Sequence, residues 1–295
     1  MSQSSTGSER EYVLGTHDAE VARLALQHRV WRSRTWDAWT RAGFDVGQTL
    51  LDVGCGPGHA SVDLAELVGP TGRVYAIDQS RRFIDTLEAT IRTRGLSQIT
   101  PVELDLESGA LPNVAAAELA DGAWVRWVFA FLKQPRGLLS RLHAALRPGA
   151  TLVVHEYFDY STWQFAPRCS EFDEFVAAVI STWRASGGEP NIGLELPTWL
   201  RETGFEVVSL RPYVDPVRPG ELRWHWPKSF LDVGLERLVS LGAVSPERAS
   251  VIHAAFDERE RSPNALQFTP GVLEIVAVRT SEADPLLGND RPSVR

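Results

Sequence analysis

Three glycines at alternate positions follow an apolar segment near residue 50, and they are the part of the sequence best suited to binding a ligand. Residues 50–58 read Leu-Leu-Asp-Val-Gly-Cys-Gly-Pro-Gly, and residues 60–68 predict a helix. Glycines let the backbone turn sharply and approach a ligand that a Cβ atom would keep away. The helix start offers free N–H groups to a polar or anionic group. The pattern therefore predicts a loop that binds a nucleotide-like cofactor.

The spacing of these glycines distinguishes two kinds of cofactor. Dinucleotide binding needs G-x-G-x-x-G, which places the pyrophosphate on the helix N-terminus. This chain has G-x-G-x-G, with Pro57 before the third glycine and Asp52 inside the end of the strand. The departure favours S-adenosylmethionine (SAM). An NAD(P)-dependent oxidoreductase is the second enzyme interpretation.

Residues 51–58 resemble the first motif of the class I SAM-dependent methyltransferases nearly residue for residue. Three later segments follow in the order and at the spacing of that family: 73–78, 102–106 and 121–149, the last ending in Leu-Arg-Pro-Gly. The resemblance is good over about residues 45–160 and looser over 200–212 and 270–280. Among relatives, the ubiquinone/menaquinone-type methyltransferases and their natural-product cousins are the most similar.

The resemblance also implies which residues contact SAM. Asp78, at the end of the second strand, would accept hydrogen bonds from the ribose hydroxyls; the alternative is that it caps the following helix. Asp105, at the end of a strand over 102–106, would bind the adenine edge together with the backbone of Leu106, or else serve as a turn aspartate. The full implied set is Tyr12, Gln27, Asp52, Gly54, Cys55, Gly56, Gly58, Asp78, Gln79, Asp105, Leu106 and Arg126. Tyr12 and Gln27 would reach the methionyl group if the N-terminal segment closes as a lid.

The residues that act on the acceptor are less clearly marked. Methyl transfer needs alignment and exclusion of water, and a base only if the acceptor must lose a proton. His155, at the end of the predicted fifth strand 151–155, and His225 are the candidate bases. Strand alternation places His155 and Glu156 on opposite faces, so at most one of them points into a given pocket. The candidate substrate contacts are Trp127, Glu156, Tyr157, Trp224 and Trp226. For both histidines and the tryptophans, the alternative is a packing role.

Alternating strands and helices predict one α/β domain that positions these residues. By resemblance we expect a doubly wound, seven-stranded, mostly parallel sheet of order 3-2-1-4-5-7-6. The expected segments are a helical lid at 11–44, the SAM-binding domain at 45–280 and a helical cap inserted at about 213–270, because an unstructured loop of that length would be odd. The polar ends, residues 1–10 and 281–295, predict disordered tails.

Composition excludes several classes of function. A net charge of −8 without a basic stripe argues against a nucleic-acid partner. Two cysteines, no secretion signal and no apolar run of membrane-spanning length predict a cytoplasmic protein that does not bind membranes. No Cys/His pair has zinc spacing, and the ligands of metal-dependent catechol-type enzymes are missing, so no metal is expected.

The sequence therefore predicts an enzyme that transfers a methyl group from SAM to O, N or C of a small, aromatic or hydrophobic metabolite. A SAM-binding accessory protein without turnover is the non-enzyme alternative. The acceptor itself is open, and a homodimer is compatible with the sequence.

Overall fold

A computed structural model describes residues 18–111 and 119–281 of the chain. The helices, in chain order, are α1 (Asp18–Arg41), α2 (His59–Val68), α3 (Arg81–Arg94), α4 (Pro135–Ala145), α5 (Ser170–Ala185), α6 (Leu196–Glu202), α7 (His225–Ser240) and α8 (Pro246–Arg261). The strands are β1 (Thr49–Val53), β2 (Arg73–Asp78), β3 (Ile99–Glu103), β4 (Ala120–Arg126), β5 (Leu146–Asp159), β6 (Gln164–Ala166), β7 (Phe205–Tyr213), β8 (Pro216–Val217), β9 (Leu266–Phe268) and β10 (Gly271–Arg279). Tyr12, the predicted tail at 1–10, and all but the first residue of the predicted tail at 281–295 lie outside the described residues.

The central sheet has the strand order β3-β2-β1-β4-β5-β10-β7. The strands from β3 to β5 pair in parallel, whereas β10 is antiparallel to both β5 and β7. Since β7 and β10 are the sixth and seventh strands of this sheet along the chain, the predicted α/β class and strand order are confirmed. The carboxyl ends of β1, β2 and β4 meet at one edge, which is where open α/β sheets bind their ligands.

Differences from the predicted bounds of two strands affect the site. β3 ends at Glu103, so Asp105 lies in the turn that follows rather than at the end of the strand. β5 continues past His155 to Asp159, because the antiparallel partner β10 pairs with it over that whole stretch. His155 therefore lies inside the strand and not at its end.

Helix α1 packs firmly on the sheet. Trp31 and Trp39 are fully buried on its inner side, and Trp39 meets Trp124 of β4 edge to face, with ring centroids 5.4 Å apart. Arg34 pairs with Asp215 at 2.7 Å, which ties the helix to the segment after β7. The helix thus forms a wall of the domain and positions its residues relative to the sheet.

The insertion between β7 and β10 contains α7 and α8, and a second sheet of order β6-β9-β8 joins it to the segment after β5. This sheet was not predicted, because strands of two or three residues are too short to show alternation. The aromatic side chains of Phe165, Phe172, Trp224 and Phe256 contact one another beneath it. Within 18–111 and 119–281, no helix is long and apolar enough to cross a bilayer.

Candidate active site

A cavity of about 420 Å³ lies at the carboxyl ends of β1, β2 and β4. The predicted site residues that line it are Gln27, Asp52, Gly54, Cys55, Gly56, Asp78, Gln79, Leu106, Arg126 and Trp127. Gly58 and Asp105 lie outside its wall. The Asp105 carboxylate instead accepts hydrogen bonds from the backbone N–H of Glu107, at 2.9 Å, and from Ser108 Oγ, at 3.0 Å, so its geometry is that of a turn aspartate.

The loop after β1 has a conformation that requires glycine. Gly54, Gly56 and Gly58 have φ values of +72°, +54° and +85°, which residues with a Cβ rarely adopt. A Cβ on Gly54 would collide with Val128, and one on Gly58 would collide with Leu87. The loop therefore forms a close-fitting backbone cradle at the cavity wall, which a side chain at these positions would disrupt.

Asp78 ends β2 and is 8% exposed. Its carboxylate accepts the backbone N–H of Gly56 at 2.8 Å and that of Ser80 at 2.9 Å, while burial raises its pKa above the ordinary value. The N-cap of α3 is Ser80, whose Oγ accepts the N–H of Phe83, so the helix-cap alternative for Asp78 does not describe its contacts. The backbone N–H of Gln79 also stabilises the charged form, and because a carboxylate has about four acceptor positions, Asp78 retains capacity to accept from a bound ligand.

Two side chains of opposite charge, on the neighbouring strands β1 and β4, line the same cavity. Asp52 accepts a hydrogen bond from Ser61 Oγ at 2.6 Å, and burial raises its pKa to about 6. Burial lowers the pKa of Arg126 to about 10, and its guanidinium donates to Thr35 Oγ1 at 3.2 Å. An anion and a cation facing one cavity match the ammonium and carboxylate of an amino-acid group, and so fit the methionyl end of SAM.

His59, which sequence reasoning missed, also lines this cavity. Its Nε2 is buried without a hydrogen-bond partner among the described residues, and burial lowers its pKa to about 4. A neutral imidazole nitrogen is thus left for a bound ligand to satisfy. The available signal was its position as the first residue after the glycine loop.

A second cavity, of about 440 Å³, adjoins the first. The two share Gln27, Trp127, Phe131, Trp183, Ser186 and Arg237 in their walls. The aromatic side chains that line the second cavity are Trp127, Phe131, Tyr157, Tyr160, Trp163, Phe175, Trp183 and Phe230. Trp127 has a φ of +51° and donates its N–H to the His155 carbonyl at 2.9 Å, which holds its ring at the boundary between the two cavities.

Comparison with known proteins identifies the family. Residues 50–149 match the family model described as a methyltransferase domain. The demethylmenaquinone methyltransferase of Geobacillus kaustophilus is 25% identical over 198 residues, covering 63% of this chain and 82% of that protein. That of Oceanobacillus iheyensis is 27% identical over 224 residues, with coverages of 70% and 89%. This chain is a class I SAM-dependent methyltransferase.

Solved structures confirm the methyltransferase fold. A putative methyltransferase from Bacillus halodurans superposes with a TM-score of 0.55 at 16% identity, covering 84% of this chain and 100% of that one. Phosphoethanolamine N-methyltransferase 2 from Haemonchus contortus, solved with SAM, gives a TM-score of 0.54 at 18% identity, with coverages of 94% and 61%. The methyl donor of this methyltransferase is SAM, so the oxidoreductase and non-catalytic interpretations are set aside.

Neither histidine that was predicted as a base lines a cavity of the methyltransferase. His155 is fully buried, and its Nε2 lies 3.1 Å from a carboxylate oxygen of Glu274. Burial lowers the pKa of His155 below its ordinary value, so its ring is neutral near pH 7. His225 is exposed at the start of α7. The geometry therefore gives neither residue access to an acceptor.

Three of the predicted substrate contacts lie behind the cavity walls, and only Trp127 and Tyr157 reach them. Glu156 is buried and accepts the N–H of Tyr157 at 3.1 Å, and burial raises its pKa to about 8. Trp224 belongs to the core of the cap and donates Nε1–H to Glu260. Trp226 stacks against Trp127, with ring centroids 5.7 Å apart, and supports the wall from behind. Sequence position alone could not separate a wall residue from the residue that backs it.

We expect His155→Ala and His225→Ala to leave the single-turnover rate of methyl transfer within a few-fold of the wild-type rate. A base that is removed lowers the chemical step by about 10²–10⁴-fold, and neither ring reaches the cavities. His155→Ala should lower the melting temperature, because the ring packs against Trp124 with centroids 4.8 Å apart. Rapid-quench kinetics with an acceptor found by ligand screening is the measurement. A rate loss above a hundredfold in a folded variant would restore the base hypothesis.

Proposed function

We propose that this methyltransferase methylates a small aromatic or hydrophobic metabolite, at O, N or C, that binds in the second cavity. The observation that carries the proposal is the wall of that cavity, which contains eight aromatic side chains and adjoins the cofactor cavity at Trp127. Its volume of about 440 Å³ lies within the range of small-molecule sites, roughly 300–1,000 Å³. Flat rings in the walls offer stacking surfaces to a flat acceptor.

The first cavity would hold SAM through the residues that line it. Asp78 would accept the ribose hydroxyls, and the glycine loop would allow close backbone approach. Asp52 and Arg126 would bind the ammonium and carboxylate of the methionyl group, with Gln27 beside them. SAM supplies an electrophilic methyl group on a sulfonium. Trp127 and the cap would align the acceptor and exclude water, which is the main requirement of this reaction.

The relatives support a small-molecule acceptor. The curated relatives from Geobacillus kaustophilus and Oceanobacillus iheyensis are named for demethylmenaquinone, which is a small molecule.

In the residues that the structure describes, no group of three His, Cys, Asp or Glu side chains is placed to hold a metal ion. A cytoplasmic location, the absence of nucleic-acid and membrane partners, and a homodimer all stay predictions.

Filling the second cavity should separate acceptor binding from cofactor binding. Val179 on α5 lines the second cavity and not the first, so Val179→Trp should weaken binding of 2-naphthol by at least about tenfold. Affinity for S-adenosylhomocysteine should stay within about threefold of the wild-type value. The matched control is Val251→Trp on α8, since Val251 is 45% exposed and lines neither cavity.

Calorimetric titration of each variant with both ligands is the measurement. If wild-type protein saturated with S-adenosylhomocysteine binds no 2-naphthol, or if Val179→Trp binds it as the wild type does, the second cavity is not the acceptor site.

A further inference from the structure

A guanidinium without a partner among the described residues lies where the two cavities meet. Arg237 projects from α7, is partly buried and lines both cavities. Within the described ranges, its side chain has no hydrogen bond, ion pair or ring contact. Partial burial removes water from a cation, and without a counter-charge no ion pair compensates for that loss. A bound ligand anion would therefore be stabilised by pairing with this side chain.

The other cation of the second cavity is already matched. Arg23 donates to both carboxylate oxygens of Glu20 at 2.7 Å and to Gln27 Oε1 at 3.0 Å. Its guanidinium also lies 4.1 Å from the centre of the Phe230 ring. Arg23 and Glu20 therefore cancel, and the excess positive charge of the cavity belongs to Arg237.

No carboxylate, imidazole or lysine ammonium of the described residues faces the second cavity to change this balance. Among the described residues its wall contains no Asp, Glu, His or Lys side chain. Within the described part of that wall, no carboxylate is present to pair with Arg237, and no imidazole or carboxylate is present to accept a proton from an acceptor; the carboxylates of Asp52, Asp78 and Glu107 line the first cavity instead. An acceptor that has already lost its proton to water would fit both facts, because it brings the missing negative charge and needs no base.

We propose that the acceptor binds as an aromatic oxyanion, a carboxylate or an enolate, whose charge pairs with Arg237. The proposal rests on the proposed function of the second cavity and narrows its substrate class. The guanidinium offers two parallel N–H donors that match a planar oxyanion, while the aromatic walls hold the attached ring. The chain has a net charge of −8, so this pairing depends on the local charge of the cavity and not on the charge of the whole protein.

The main competing role for Arg237 is in cofactor binding, because it also lines the first cavity. There it would pair with the methionyl carboxylate that we assign to Arg126. The two roles differ in which affinity a variant loses. A neutral residue at position 237 weakens oxyanion binding in one case and S-adenosylhomocysteine binding in the other.

The test uses two matched pairs of probes with wild-type protein saturated with S-adenosylhomocysteine at pH 7. The carboxylate pair is 2-naphthoate and 2-naphthamide, and the enolate pair is 2-hydroxy-1,4-naphthoquinone and its 2-methoxy ether. In at least one pair we expect the anion to bind about 10- to 100-fold more tightly than its neutral partner. The pair that shows the preference tells carboxylate from enolate.

Variants then assign the preference to Arg237. Arg237→Gln should abolish it, Arg237→Lys should keep part of it, and both should bind S-adenosylhomocysteine within about threefold of the wild-type affinity. The control is Arg29→Gln, which removes the same charge from an exposed position of α1 that lines neither cavity, and which should change nothing.

Three results would overturn the proposal. Equal binding of anion and neutral partner by the wild type would do so and leave the aromatic acceptor site standing. Loss of S-adenosylhomocysteine affinity in Arg237→Gln would move Arg237 to the cofactor. Failure of every aromatic probe to bind would remove the proposed function together with this inference.

Discussion

Asp78→Ala should weaken binding of SAM by about 10²–10⁴-fold. A hydrogen bond to a charged group contributes about 1.5–3 kcal/mol, and two ribose hydroxyls would lose their acceptor together. Some loss of stability should accompany this, because Asp78 also accepts the backbone N–H groups of Gly56 and Ser80. Calorimetric titration with S-adenosylhomocysteine below the melting temperature of the variant measures the binding loss separately.

Ser80→Ala is the matched control for that experiment. It removes the N-cap of α3, which costs about 0.5–2 kcal/mol of stability, yet Ser80 does not line the cofactor cavity. We therefore expect a lower melting temperature with nearly unchanged affinity. If Asp78→Ala behaves like Ser80→Ala, its carboxylate is a structural group and the ribose assignment is wrong.

Glu274→Ala should lower the free energy of unfolding by about 3 kcal/mol, the lower end of the range for breaking a buried ion pair. Glu274 is fully buried and accepts hydrogen bonds from Arg41 at 2.7 Å, from His155 at 3.1 Å and from the Tyr213 hydroxyl at 3.1 Å. Arg41 keeps a second partner, Asp37, which limits the cost. Urea denaturation at pH 7 measures the change.

The effect of Glu274 should depend on pH. Burial alone would raise its pKa, but the hydrogen bonds from His155 and Arg41 hold the pKa below its ordinary value. A carboxylate with a lowered pKa stabilises the fold above its unfolded-state pKa, and this contribution is lost as the pH falls through the folded-state value. The difference between wild type and Glu274→Ala should therefore shrink below about pH 4.

The exposed Glu236 on α7 supplies the control, since Glu236→Ala should change stability by no more than about 0.5 kcal/mol. Equal effects of the two substitutions would show that Glu274 makes no net contribution. If Glu274→Ala is folded and binds S-adenosylhomocysteine normally but loses more than a hundredfold in single-turnover rate, His155 and Glu274 act in the reaction after all.

The sequence by itself determined the cofactor loop and the order of the central sheet. Gly54, Gly56 and Gly58 can be recognised in the sequence because residues with a Cβ rarely adopt their backbone conformation. The acid at the end of β2 can be predicted from the sequence because strand, acid and helix follow one another within a short stretch of chain. Such local constraints need no knowledge of distant contacts, and the strand order followed from a resemblance carried by these same motifs.

Only the tertiary structure decided which residues face the acceptor. His155 is two residues from Tyr157, which lines the second cavity, but its side chain contacts Glu274, which is 119 residues away in the sequence. Trp224, just before α7, belongs to the cap core, and Trp226, in the first turn of α7, lies behind Trp127. The packing of this segment against its neighbours selects which of its side chains are buried. The charge of the second cavity likewise depends on the pairing of Arg23 with Glu20, whereas no described residue pairs with Arg237. Burial and pairing of this kind arise from contacts between segments far apart in the chain, and no local pattern encodes them.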